Sequence, residues 1–182
     1  MSSDQHIADS TRCWVESIVI GHNFCPFAKA ALDAGRVRFA ISHASDLEAA
    51  LQDLISECVR LDDSADIETT LVVYADAFSA FDDFLDLIDL ANRLLEMQGY
   101  EGTYQLAHFH PDYCFEGSSE DDPANYTNRS PCPTLHIIRE ASLEKAIASY
   151  PQAEKIPQNN IGLARKLGRE RLATELERCI KS

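Results

Sequence analysis

Apolar positions along this chain recur with two different periods, and the switches between them divide it into elements. Thr11, Trp14, Val15 and Ile18 fall at helical spacing and predict an amphipathic helix ending near Gly21. Pro26 suits a first helical position, so a second, short helix is expected from there to Gly35. Over 36–42 the pattern becomes alternation, with Val37, Phe39 and Ile41 on one face of a strand. Ser45 and Glu48 read as a capping box for a helix burying Leu47, Leu51, Leu54, Ile55 and Cys58. Residues 69–75 form a continuous apolar, β-branched run, as a strand covered on both faces requires. Ser79 then opens a helix with Phe81, Phe84, Leu85, Ile88 and Leu95 inside and Asp82, Asp86 and Asp89 outside, closed by Gly99 or Gly102. Strands are expected again over 103–109 and 134–139, Ser142 caps a further helix, and two short helices fill 159–180.

This order predicts an α/β fold: a mixed sheet of about four strands in a βαβαββα core, flanked by helices and extended by helices at both ends. Right-handed crossovers make the first three strands parallel, and the fourth returns antiparallel to the third. Strand order stays open. No repeat or low-complexity linker interrupts the chain, so 1–182 is read as one domain.

Composition narrows the function. Thirty acidic against sixteen basic residues leave a net charge of −14, which repels nucleic-acid backbones and anionic membranes. Neither nucleic acid nor membrane is therefore expected as a partner. Residues 1–10 carry no hydrophobic signal region, and no apolar run is long enough to span a bilayer. The six cysteines (Cys13, Cys25, Cys58, Cys114, Cys132 and Cys179) are scattered without a C-x-x-C pair. That pattern predicts free thiols in a reducing compartment, hence a soluble, cytoplasmic protein with no cysteine-built zinc site.

The candidate chemistry lies in residues 110–133, which show neither helical nor strand periodicity. Long structureless loops in compact domains tend to be functional or disordered, and Tyr113, Phe115 and Tyr126 argue for order. If the first three strands are parallel, His43, Asp76 and His110 sit beyond their carboxyl ends, where open α/β sheets bind ligands. Arg129 suits a phosphate or carboxylate, with Asn125, Asn128, Ser130 and Tyr113 as further substrate-binding groups. The alternative is a turn-rich loop whose Asp and Asn side chains bond their own backbone. His108 and His110, two apart on a strand, share a face and are candidate general acid/base groups or ligands of a divalent metal. Asp121, Asp122, Cys25 and His43 are possible further ligands, and one packed and one solvated histidine is the alternative. Cys25, placed at a helix N-terminus, is a candidate nucleophile with a lowered pKa, or else a structural thiol between two phenylalanines. Phosphate loops, nucleophile elbows and His-Glu-x-x-His helices are absent from the sequence.

Several phrases together resemble one bacterial family, catalogued as domain of unknown function 1415. They are Asn23-Phe24-Cys25-Pro26-Phe27-Ala28, Glu68-Thr69-Thr70-Leu71, Phe109-His110-Pro111-Asp112-Tyr113, Asn125-Tyr126-Thr127-Asn128-Arg129-Ser130-Pro131 and Pro133-Thr134-Leu135-His136. The resemblance runs from about Trp14 to Leu167, within a family-like core of about 11–167 followed by a C-terminal helix over 168–182. Cys132 stands where the family pattern leads one to expect an aromatic residue. The resemblance implies one domain and carries no activity with it.

These features lead to an expected enzyme, with or without the assistance of a divalent metal, acting on a small anionic metabolite at the carboxyl edge of the sheet. The alternatives are a protein-binding adaptor using the 110–133 loop, and a single-cysteine redox protein.

Overall fold

The computed structural model describes residues 3–181. Its helices in chain order are α1 (Ser3–Trp14), α2 (Ala28–Asp33), α3 (Leu47–Asp63), α4 (Phe81–Met97), α5 (Glu140–Ser149), α6 (Ile156–Leu167) and α7 (Arg169–Lys181). The strands are β1 (Val37–Ser42), β2 (Thr69–Tyr74), β3 (Tyr104–Phe109) and β4 (Thr134–Arg139). The unbroken apolar run became a central strand: β2 pairs with β1 in parallel and with β4 antiparallel, and its last five residues are all buried. β3 pairs antiparallel with β4, giving the order β1-β2-β4-β3. β1, β2 and β3 therefore run one way and β4 alone is reversed, as the crossover argument predicts. The long 110–133 connection lets β4 return between β2 and β3.

Alternation along the strands gives each face its own core. On one face α3 and α4 bring Leu54, Leu61, Phe84 and Leu87 against Val72, Tyr74, Leu135 and Ile137. On the other, Trp14, Ile18, Leu172 and Leu176 gather with Leu71, and the terminal helices pack here. Full burial of each large apolar side chain contributes about 1.5–3 kcal/mol.

Helix starts differ from the sequence reading by a few residues. Asp46, not Ser45, caps α3, its Oδ1 accepting from the Ala49 N–H at 2.9 Å. α4 opens at Phe81 rather than Ser79, with Leu87 in the core and Leu85 40% exposed. Ser142 lies inside α5, and α6 begins at Ile156 with proline in its first turn. A short 3-10 helix, Pro123–Thr127, interrupts the expected structureless loop. α1 starts well before Thr11 and passes into a π-helical segment, Val15–Ile20. Gly21 closes that segment because nothing larger fits: an added Cβ would stand 2.1 Å from the Ser17 carbonyl oxygen.

One expectation is overturned outright. Cys13 and Cys179 form a disulfide, with Cα atoms 5.3 Å apart, so the six cysteines are not all free. The bridge ties α1 to α7 across a separation of 166 residues, which no local spacing reveals. Among the described residues no helix is long and apolar enough to cross a membrane.

Candidate functional site

In the 110–133 loop the polar side chains bond to the loop itself. Arg129 donates from Nε to the Tyr113 carbonyl (3.1 Å) and from a terminal nitrogen to the Glu120 carbonyl (3.0 Å). Its guanidinium also lies 4.7 Å from the centre of the Tyr126 ring. Asn125, fully buried, accepts from the Phe115 N–H and donates to the Ser119 carbonyl. Asn128 donates to the His108 carbonyl, and Ser130 to that of Cys132. Asp122 pairs with Arg165 and Asp121 with Arg169, which fastens the loop to the C-terminal helices.

The histidines are separated in role. His110 is buried and both its ring nitrogens are engaged: Nδ1 accepts from the Asp112 N–H, so Nε2 carries the proton and donates to the Phe78 carbonyl at 2.9 Å. Phe78 holds a left-handed backbone, φ 61, that few side chains adopt, in the turn presenting this carbonyl. With no free lone pair, His110 is neither a ready metal ligand nor a ready base. His108 stacks near Tyr113, and burial lowers the pKa of both histidines. His43 does meet Asp76, at 2.6 Å, and also Asp4, on the exposed carboxyl edge. Among the described residues no group of three or more His, Cys, Asp or Glu is placed to hold a metal ion, so the expected ligand set is not assembled.

A different region has room for a molecule. Between the second face of the sheet, the π-helical segment, α2 and α5 lies a cavity of about 350 Å³. That volume is at the small end of known ligand pockets. Strand register builds its floor: Val37, Thr69, Leu71, His136 and Ile138 share one face of β1, β2 and β4. Trp14, Phe27 and Phe109 add aromatic walls, and small residues of α2 and its C-terminal cap (Ala28, Ala31, Ala34) keep the space open. The exposed lining residues Ala30, Ala34 and Arg36 mark the side facing solvent, where Arg36 pairs with Glu68 at 2.9 Å.

Two hydrogen-bonding atoms of residues lining this space lack protein partners. Trp14 is 1% exposed, and its indole Nε1–H has no acceptor. The only other buried side-chain atom so left among the described residues is Thr70 Oγ1, on the opposite face of β2. His136 carries the second. Thr69 Oγ1 stands 2.6 Å from both His136 Nε2 and the Ile137 carbonyl oxygen. The carbonyl can only accept, so the threonine proton goes to it and Nε2–H donates to the hydroxyl. Nδ1 is then the unprotonated nitrogen, an acceptor with no protein donor. Burial pushes the His136 pKa down to about 4, so the ring is neutral near pH 7.

Cys25 also lines the cavity. The expected lowering of its pKa is reversed: burial raises it, against the Phe27 and Ala28 N–H groups. α2 has only six residues, and desolvation outweighs what its first turn supplies. Sequence reasoning missed Trp14, Thr69 and His136 as site residues. One available signal was that phrases carrying the family resemblance (those of Cys25, Thr69 and His136) are far apart in sequence and converge here. Another was a histidine in the middle of an apolar strand.

A protein-family model described as "Protein of unknown function (DUF1415)" matches residues 6–174. No curated protein and no solved structure matches the chain.

Proposed function

The chain belongs to the DUF1415 family, and we propose that it binds a small, largely apolar molecule in the cavity between the sheet, α2 and α5. The observation that carries this reading is an apolar space lined by Trp14 and His136, whose Nδ1 accepts from no protein group. An occupant that covers these apolar walls gains roughly 25 cal/mol per Å² of apolar area removed from water. This reading departs from the expected anionic metabolite. Transferring an unpaired charge into apolar walls is costly, and Arg36 at the rim is already neutralised by Glu68. Arg129, the expected anion ligand, is engaged within its loop.

Trp14 is the chain's single tryptophan, so its emission reports this cavity alone. Titration with toluene, excited where only indole absorbs, is expected to shift Trp14 emission saturably and raise the melting temperature. Ala31→Phe, which fills the space from α2, abolishes both responses. Non-saturating emission changes that persist in Ala31→Phe would refute the reading.

A further inference from the structure

Resting on the reading of the cavity as a ligand site, we propose that its occupant is a neutral aromatic molecule bearing a hydroxyl, whose O–H donates to His136 Nδ1. The argument begins with Thr69. Its one proton is committed to the Ile137 carbonyl, so it fixes the His136 tautomer from below and directs the acceptor nitrogen away from the β2–β4 contact. An acceptor in an apolar wall selects a donor. A carboxylate offers only lone pairs at neutral pH and would meet the Nδ1 lone pair with repulsion, besides losing its hydration. A purely apolar ring would leave Nδ1 dry and unpaired. A hydroxyl supplies the donor.

The wall chemistry selects the rest of the molecule. Trp14 and Phe109 already meet edge-on at 4.9 Å, and Phe27 stands on the same cavity. Rings stacked or placed edge-on against such walls gain beyond their area. Cys25, kept in its neutral thiol form by burial, adds a soft, polarizable contact and no charge.

The test is a calorimetric titration of the full chain with 1-naphthol, 1-methoxynaphthalene, naphthalene and 1-naphthoate. These share one ring system and differ in the group offered to His136. The expected order places 1-naphthol first, about tenfold tighter than the methyl ether or the parent hydrocarbon, as one hydrogen bond to an acceptor in the cavity wall implies. 1-Naphthoate is expected to be the weakest. In His136→Phe the naphthol advantage disappears while naphthalene still binds. Should that variant fail to fold, the comparison of naphthol with its methyl ether on the native chain decides alone, since only the donor differs. Equal affinities for those two, or tighter binding of 1-naphthoate, would overturn the hydroxyl inference and leave the apolar-ligand reading standing. Absence of binding by all four would overturn both.

Discussion

In the 110–133 loop Arg129 gives its Nε–H and one terminal N–H to two loop carbonyls, and Asn125 bonds to backbone at both ends of its amide. In the cavity, by contrast, Trp14 Nε1 and His136 Nδ1 have no partner. The loop is rich in polar groups and turns them onto its own backbone, whereas the cavity residues, poor in polar groups, leave an indole N–H and an imidazole nitrogen without a protein partner. Richness in polar residues marks a ligand site only when those residues are not holding the backbone that carries them.

That contrast can be broken first through the framework both regions share. Cys13 precedes Trp14, and its bridge to Cys179 fixes α1 against α7. Closing so long a loop of the unfolded chain contributes up to about 5 kcal/mol. Cys13→Ser is expected to lower the melting temperature more than any other change described here, and a reductant should reproduce the loss in the native chain. A Cys13→Ser melting curve unaltered from that of the oxidised native chain would mean the bridge does not form.

Acidification comes next, and it acts on the cavity floor. His136 has an ordinary pKa of 6.5 and a folded value of about 4. Between those values the unfolded chain binds more protons, so stability falls as pH drops from 6.5 towards 4 and is fully present above. The loss is about 3 kcal/mol. His108 and His110, also lowered by burial, act in the same direction. Denaturant titrations at pH 4.5 and 7 should show this slope, reduced in His136→Phe. An unreduced slope would assign it to the other histidines.

Within the loop, Asn125→Ala is expected to cost about 3 kcal/mol, by orphaning buried backbone groups and leaving a void. Arg129→Ala removes two hydrogen bonds and a cation–π contact, about 2 kcal/mol together. Neither should weaken toluene binding to the folded chain. Ala31→Phe sharpens the comparison from the other side: stability stays within about 1 kcal/mol while binding is lost.

Much of the architecture was legible because burial imposes period. The run of β2 predicted a strand with both faces covered and the alternation of β1 a strand with one apolar face, while the crossovers gave the first three strands one direction and the simplest return reversed the fourth. Boundaries slipped where two residues compete for one role. Ser45 and Asp46 both precede α3, and only the backbone geometry decides that Asp46 caps it. The loop's aromatic residues correctly signalled order, but composition does not say whether Arg129 points to a ligand or to its own carbonyls. The cavity was illegible for a different reason. Its walls come from Trp14, Cys25, Thr69, Phe109, His136 and Ser142, which no local window contains. What makes it a site, apolar space beside an unpaired acceptor, exists only once the helices are placed on the sheet.

The most direct test of the cavity as the working site is a two-dimensional amide and indole proton–nitrogen spectrum recorded while 1-naphthol is added. The single tryptophan gives one indole Nε1–H peak, that of Trp14, and the loop amides give peaks of their own. The account predicts that the indole peak and the amides of Thr69 and His136 move together and saturate, while the amides of Tyr113 to Ser130 stay in place. Movement of the loop amides with a stationary Trp14 peak would contradict it and return the site to the loop.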